Sequence, residues 1–348
     1  MKKVLFLYSE LAGYIFSCFQ ELATREVEVT VIHWPVNPEA PFKIPSIKGV
    51  TFISKNELKA SGIAMKVKEL KPDIILTSGW MDKEYLSIVK EERGIIPTVI
   101  LFDTAWNGSV KQRVLAAFGK RFLTKRFSHA WVAGKAQKAY AQRLGFKKEH
   151  IETGFYTADL IHFNEIFNRR KARMEQSFPK TFLYVGRYVA QKNMQMLWNA
   201  FLTANKANGG QWKLRCIGTG ELFDLKTEHP TIEHLGFIQP MEMEDYLIDA
   251  GVFVLPSLFE PWGVVVQEFA AAGFPMVLSD KIGASEEFLQ IGHNGYDFDS
   301  SSELDLTKAL ALIIQLEESV LIKFAKESHK LAQKLNPQIW TDTLLRLL

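Results

Sequence analysis

The chain has 348 residues, 47% of them apolar and 23% charged. That is more than one core usually spans, so two globular domains are expected, and a disordered or fibrous chain is excluded. Its two cysteines, Cys18 and Cys216, supply neither a disulfide framework nor metal-ligand spacing, which fits a reducing cytoplasm. The formal charge of +3 hides an asymmetry: from Lys111 to His150 there are eleven Lys or Arg and one acid, Glu149. A local anionic partner or surface is therefore expected.

The opening MKKVLFLYSELAGYIFSCF has the look of a signal peptide, but Glu10 interrupts the apolar run and no small-residue cleavage site follows, so it reads as a first β-strand. No apolar run is long enough to cross a bilayer. Short apolar runs at 4–8, 27–33, 73–77, 97–102 and 130–133 alternate with helix-length polar segments. Continuous runs of this kind, joined by helical crossovers, predict a parallel sheet covered on both faces, a doubly wound α/β domain.

After 97–102 comes KQRVLAAFGKRFLTKRF. Val114, Leu115, Phe118, Phe122 and Leu123 share a broad helical face, with Lys111, Arg113, Lys120, Arg121, Lys125 and Arg126 around it. Two readings stand side by side. The stretch 111–126 is an interfacial helix that docks on anionic lipid or receives a pyrophosphate-linked acceptor, or it is a domain helix whose phenylalanines fill the core.

A charged connector is expected at 163–178, with the run Arg169-Arg170-Lys171, and a second series of strands follows at 182–185, 212–217, 232–235, 252–255 and 276–278. The expected domains are 1–168 and 176–325, with 326–348 returning to the first. Two such domains would face a cleft at the carboxyl ends of their strands.

Four segments of the second domain are expected there. In TFLYVGRYVAQKNMQML, a strand runs into Gly186 and then a helix from near Asn193, with Arg187 and Lys192 flanking the turn. A helix N-terminus with two cations suits a pyrophosphate. In CIGTGELF, Gly218 and Gly220 either admit a ligand to the backbone or make a plain tight turn. The loop Phe237, Ile238, Gln239 is placed to face a nucleobase. In LPSLFEPWGVVVQEFAAAGFPMVLSD, a helix from about Trp262 to Ala272 is expected, with Pro261 in its first turn and Gly273 as its C-cap. Glu260 would sit at its opening and Glu268 two turns on. Spaced carboxylates suit the diols of two sugar rings, whereas the bland alternative is a dipole-favoured acid and a solvated helix residue.

In this order the segments resemble glycosyltransferase family 4, retaining enzymes of GT-B fold marked by E-x7-E, a small-residue helix, Gly, Pro and a strand. The likeness covers 181–299; GRYVAQK is similar to the family's phosphate-binding segment, IGTGE to its Gly-rich turn and IGHNGYDFD to its NGxxF-type turn, while TADLIHF is similar to the close of its first domain. The resemblance implies a UDP- or GDP-linked hexose donor. Glu260 and the backbone at Trp262, Gly263 and Val264 would hold the sugar, Glu268 the ribose, and Arg187 and Lys192 the leaving diphosphate. It implies no metal or other cofactor, retention by front-face attack, and a glycan or lipid-linked acceptor.

The first domain departs from the pattern. SELAGY has only Gly13 where the family has adjacent glycines, and Asp103 stands where many members carry a histidine. Asp103 is either a sugar contact or a strand-end cap. Trp80 and Trp106 each follow a strand and either stack on an acceptor sugar or pack their loops. Three rivals remain for comparison. A sugar-nucleotide epimerase would need proton-handling groups, and a dinucleotide oxidoreductase would show G-x-G-x-x-G after the first strand. A non-catalytic sugar-nucleotide-binding subunit would bind without turnover. No nucleic-acid reader motif accompanies the basic cluster. A cytoplasmic enzyme, peripheral on the membrane if 111–126 faces lipid, is the expectation, with its oligomeric state open.

Overall fold

The computed structural model describes residues 1–9, 11–36, 43–58, 62–239 and 242–348, so Glu10 lies outside the described residues. Two compact units divide the chain, 1–159 with 335–348 and 160–334.

The first unit runs β1 (Lys2–Tyr8), α1 (Phe16–Thr24), β2 (Val27–His33), β3 (Val50–Ser54), α2 (Gly62–Leu70) and β4 (Ile74–Ser78). It continues through α3 (Lys83–Glu92), β5 (Thr98–Phe102), α4 (Val110–Phe122), β6 (His129–Val132), α5 (Lys135–Arg143) and β7 (Ile151–Thr153). The strands form one sheet in the order β3-β2-β1-β4-β5-β6-β7, with parallel pairings throughout. The inner strands carry unbroken apolar runs, Val4–Tyr8, Ile74–Leu76 and Val99–Phe102, because both sheet faces are covered. The strand order reverses between β1 and β4, and their ends are joined there: the Ser9 N–H donates to Ser78 Oγ at 2.7 Å. Such a reversal opens a crevice beyond the strand ends. Buried Asp82 caps α3 at Glu84 and Tyr85 and also takes Trp34 Nε1 at 2.7 Å and the Lys55 ammonium, which fixes the loop after β4.

The second unit begins with α6 (Leu160–Gln176), β8 (Thr181–Val185), α7 (Met194–Ala207), β9 (Lys213–Ile217) and β10 (Ile232–His234). Next come α8 (Glu244–Ile248), β11 (Val252–Leu255), α9 (Val264–Ala271), β12 (Met276–Ser279) and α10 (Ser285–Phe288). It ends with β13 (Gly295–Phe298), α11 (Glu303–Gln315) and α12 (Glu318–Ala332). Its sheet, again parallel, has the order β10-β9-β8-β11-β12-β13.

Several boundaries differ from the sequence expectation. The connector at 163–178 is the body of α6, inside the second unit, because Arg170 is fully buried. Its guanidinium donates to the carbonyls of Ala272 at 2.9 Å and of Leu247 and Ala250 at 2.5 Å, and lies 3.3 Å over the Phe274 ring. Residues 326–334 do not return to the first unit, since α12 buries Phe324, Ala325, Ser328 and Leu331, and His329 stacks on Phe167 at 3.8 Å. The return starts at 335 and leads into α13 (Pro337–Leu347). Asn336 caps that helix and Pro337 occupies its first turn. Trp340 is buried 4.9 Å from Trp131 and 6.1 Å from Phe6, its indole N–H donating to the Phe155 carbonyl at 2.8 Å. Among the described residues no helix is long and apolar enough to cross a membrane.

Candidate functional site

Backbone packing decides the shape of the second unit at the ends of β8, β9 and β10. The Gly186 N–H donates to Ile217 O at 3.0 Å and the Gly218 N–H to Gly236 O at 2.7 Å. Gly218 holds φ +135°, and a Cβ there would lie 1.9 Å from the Gly186 carbonyl oxygen. The protein's own packing therefore accounts for the glycine in IGTG. Just beyond, Phe237 is 55% exposed and Ile238 is half-buried.

The turn after β8 carries Arg187, exposed, and Lys192, half-buried at the end of a 3₁₀ turn, Ala190–Lys192. Asn193 ends that turn in the left-handed region (φ 55°) and anchors it through Nδ2 to Ser300 O at 3.2 Å. The Leu258 N–H donates to Gln191 O at 2.8 Å, tying this turn to the loop after β11. Lys192 Nζ thereby meets Glu260 Oε1, which also accepts from Ser257 Oγ at 2.7 Å. The pair is largely shielded, with side chains 19% and 12% exposed, so it forms charge-assisted hydrogen bonds of real strength.

α9 starts two residues later than the spacing suggests. Gly263 at φ +93° cannot extend a right-handed helix, so Pro261 and Trp262 precede it. That strand-like approach is pinned by the segment after β12: the Glu260 N–H donates to Lys281 O at 3.0 Å, the Gly283 N–H to Glu260 O at 3.1 Å and the Ala284 N–H to Trp262 O at 2.9 Å. The Trp262 side chain is core, 1% exposed beside Phe288, with its indole N–H unpartnered among the described residues. The N-terminus of α9, at Val264, has no side-chain cap among the described residues; the Val266 N–H is bonded to Gly263 O at 3.0 Å, so any donors this end offers a ligand are those of Val264 and Val265. Glu268 is half-buried on the fifth residue of this helix. The far end closes with Gly273 N–H on Ala270 O at 2.9 Å and Phe274 N–H on Phe269 O at 3.0 Å, the Schellman pattern.

The first unit has a cavity of about 500 Å³ at its strand-order reversal, lined by Tyr8, Ser9, Tyr14, Ser78, Trp80, Asp103 and Tyr156 among others. The Tyr156 hydroxyl donates to Asp103 Oδ2 at 3.3 Å, and its ring meets Tyr14 edge-on at 5.2 Å. Burial pushes the Asp103 carboxyl up, with the Tyr156 bond working against it. Burial also raises the Tyr156 phenol, helped by Tyr14 and Asp103. Tyr8 is buried, its hydroxyl unpartnered among the described residues. Among the described lining residues none is Lys, Arg or His. Hydroxyls, one carboxyl and aromatic faces suit an uncharged polyhydroxyl ring better than an anion.

Sequence reasoning separates poorly the residues around this cavity. Trp80 lines it, 5.4 Å from Phe102. Trp106 is not among its described lining residues; it is half-buried, 5.6 Å from Tyr140 and under the Arg143 guanidinium. Gly13 is exposed, and a Cβ there would meet nothing within 4 Å among the described residues, none of which demands a glycine. Tyr8, Tyr14, Tyr156 and Ser257 were not anticipated; the tyrosines do adjoin the first strand, Gly13 and TADL, where a reader has reason to look.

Comparison with known proteins adds three findings. An uncharacterized glycosyltransferase of Methanocaldococcus jannaschii is 30% identical over 143 residues, 39% of this chain and 36% of its own, so the match spans about a third of that relative. HepE of Anabaena, solved in complex with UDP and glucose, aligns over 99% of both chains with a TM-score of 0.70 at 16% identity. Sucrose-phosphate synthase of Thermosynechococcus elongatus aligns over 100% of this chain and 98% of its own, TM-score 0.73, 16% identity. With its two parallel, Rossmann-like sheets the chain has the GT-B fold, and its residues 166–334 match the family model of Glycosyl transferases group 1.

Proposed function

We propose that this protein is a retaining glycosyltransferase that moves a hexose from a nucleoside diphosphate donor on the second unit to a hydroxyl of a glycan or lipid-linked acceptor received by the first. The observation that carries this is the Lys192–Glu260–Ser257 cluster beside the uncapped N-terminus of α9, inside the segment that matches group 1 glycosyl transferases. UDP is favoured over GDP because HepE was solved with UDP and with UDP-glucose.

In the reaction proposed, the bond from the anomeric carbon to the diphosphate oxygen breaks and a bond to the acceptor oxygen forms on the same face. The acceptor proton passes to the departing phosphate. Lys192 leaves Glu260 for the diphosphate, with Arg187 as the second cation, and no metal is invoked. Glu260, released, accepts from the donor sugar hydroxyls, and Glu268 accepts from the ribose diol. Trp80 and Asp103 contact the acceptor, in a cavity whose chemistry favours neutral sugars.

A melting-temperature panel of UDP, GDP and their sugars, without metal, tests this. A ligand at one hundred times its Kd adds about 2.7 kcal/mol to stability. We expect a rise with one nucleotide, lost in Glu268→Ala, and turnover of its sugar with a neutral acceptor. No rise with any nucleotide sinks the reading; a rise without turnover on any acceptor favours a non-catalytic binding subunit.

A further inference from the structure

Helix α4 shows four of its five large apolar side chains to solvent. Val110, Val114, Phe118 and Phe122 recur every four residues and are 78%, 52%, 68% and 38% exposed. At about 100° per residue they sweep roughly a third of the helix circumference. The inward side is carried instead by Gln112, half-buried Leu115 and Gly119, then Leu123 beyond the helix end. Gly119 explains this: a Cβ there would come within 3.1 Å of Leu144, so the helix backbone packs directly on the core and needs no phenylalanine beneath it. The expectation that these phenylalanines fill the core fails at Phe118 and Phe122.

Cations surround the stripe. Lys111, Arg113, Lys120, Arg121 and Lys125 are exposed, and the Arg126 guanidinium stacks 4.0 Å from the centre of the Phe122 ring. Between Thr104 and Lys148 the chain has eleven Lys or Arg and no Asp or Glu. We infer that α4 docks this protein peripherally on an anionic lipid surface, Val114 and Phe118 entering the acyl boundary while the cations meet the headgroups. A second copy is a poor occupant, since a self-complementary interface would set these cations against their own equivalents. A nucleic acid would leave the apolar centre of the face uncovered.

Docking would also place the cavity. Gln112, buried on α4, accepts from the Asn107 N–H at 2.7 Å and donates to Ala105 O at 2.8 Å, locking the helix to the segment that leaves Asp103. An acceptor presented at the bilayer surface would then meet the rim of the cavity. The docking itself does not depend on the reaction assigned above.

The test is co-sedimentation of the full chain with vesicles of phosphatidylcholine alone or mixed with phosphatidylglycerol, at low and high salt. We expect binding to the mixed vesicles only, weakening as salt rises. The double variant Val114→Ser, Phe118→Ser keeps every charge, and should lose about tenfold in the bound-to-free ratio with an unchanged melting temperature. Lys120→Glu with Arg121→Glu should lose binding at low salt. Absence of binding at low salt, equal binding to both vesicle types, or full binding by the serine variant would each overturn the inference.

Discussion

Burial holds the Asp103 carboxyl above its ordinary range, against the pull of the Tyr156 hydroxyl. The native state therefore keeps this proton at a pH where the unfolded chain has lost it. A carboxyl raised in this way contributes stability that is fully present below its unfolded pKa and is lost as pH rises through the folded one. Above the unfolded pKa, Asp103 therefore carries a net cost that Asn would not. Asp103→Asn is expected to melt above the wild type at neutral pH, with the gap closing as the pH is lowered through the ordinary carboxylate range. A gap independent of pH would show that the carboxyl is not destabilised by its surroundings. If Asp103 accepts from an acceptor hydroxyl, the same variant loses turnover while nucleotide binding is kept, an example of stability traded for function at a site.

At the scale of elements, the ends of β8 and β9 depend on one close backbone approach. Gly218→Ala would bring a methyl group to 1.9 Å from Gly186 O at a φ that disfavours side chains, so a loss of about 2–4 kcal/mol is expected in denaturant titrations. Gly13→Ala, with open space around it, should change stability by less than about 0.5 kcal/mol. The interior strands were readable because both faces of each are covered, which writes an unbroken apolar run. The edge strands β3, β7 and β13 leave no such signal for the converse reason: they are three to five residues long and half-open, and the sequence of β13 reads as a turn after Asn294. In α4 the amphipathic pattern was legible, but not which side faces inward, because the residue that packs is Gly119. Trp80 and Trp106 follow equivalent strands, and only Tyr140 and Arg143, some 35 residues downstream, separate their environments. Around Glu260 the motif announces the carboxylate and Ser257 stands three residues before it on the same loop, whereas Lys192 and the pinning segment 281–284 come from the loops after β8 and β12.

At the scale of the molecule, the second unit is one continuous stretch with its whole six-stranded sheet, and the first is closed by a segment from the far end of the chain. Residues 160–334 produced alone are expected to unfold cooperatively and to show the same nucleotide-dependent rise in melting temperature as the full chain. Trp340→Ala should destabilise the first unit by about 3–5 kcal/mol, since it empties a volume between Phe6, Trp131 and Phe155. A noncooperative melt of the fragment would show that the second unit does not fold by itself. The same closure sets an order of events during synthesis. A ribosome adding about 5–20 residues per second takes roughly 9 to 35 s to travel from residue 159 to residue 335. Throughout that interval the nascent first unit lacks α13, and the aromatic surface of Phe6 and Trp131 is left open to chaperones or to neighbouring chains.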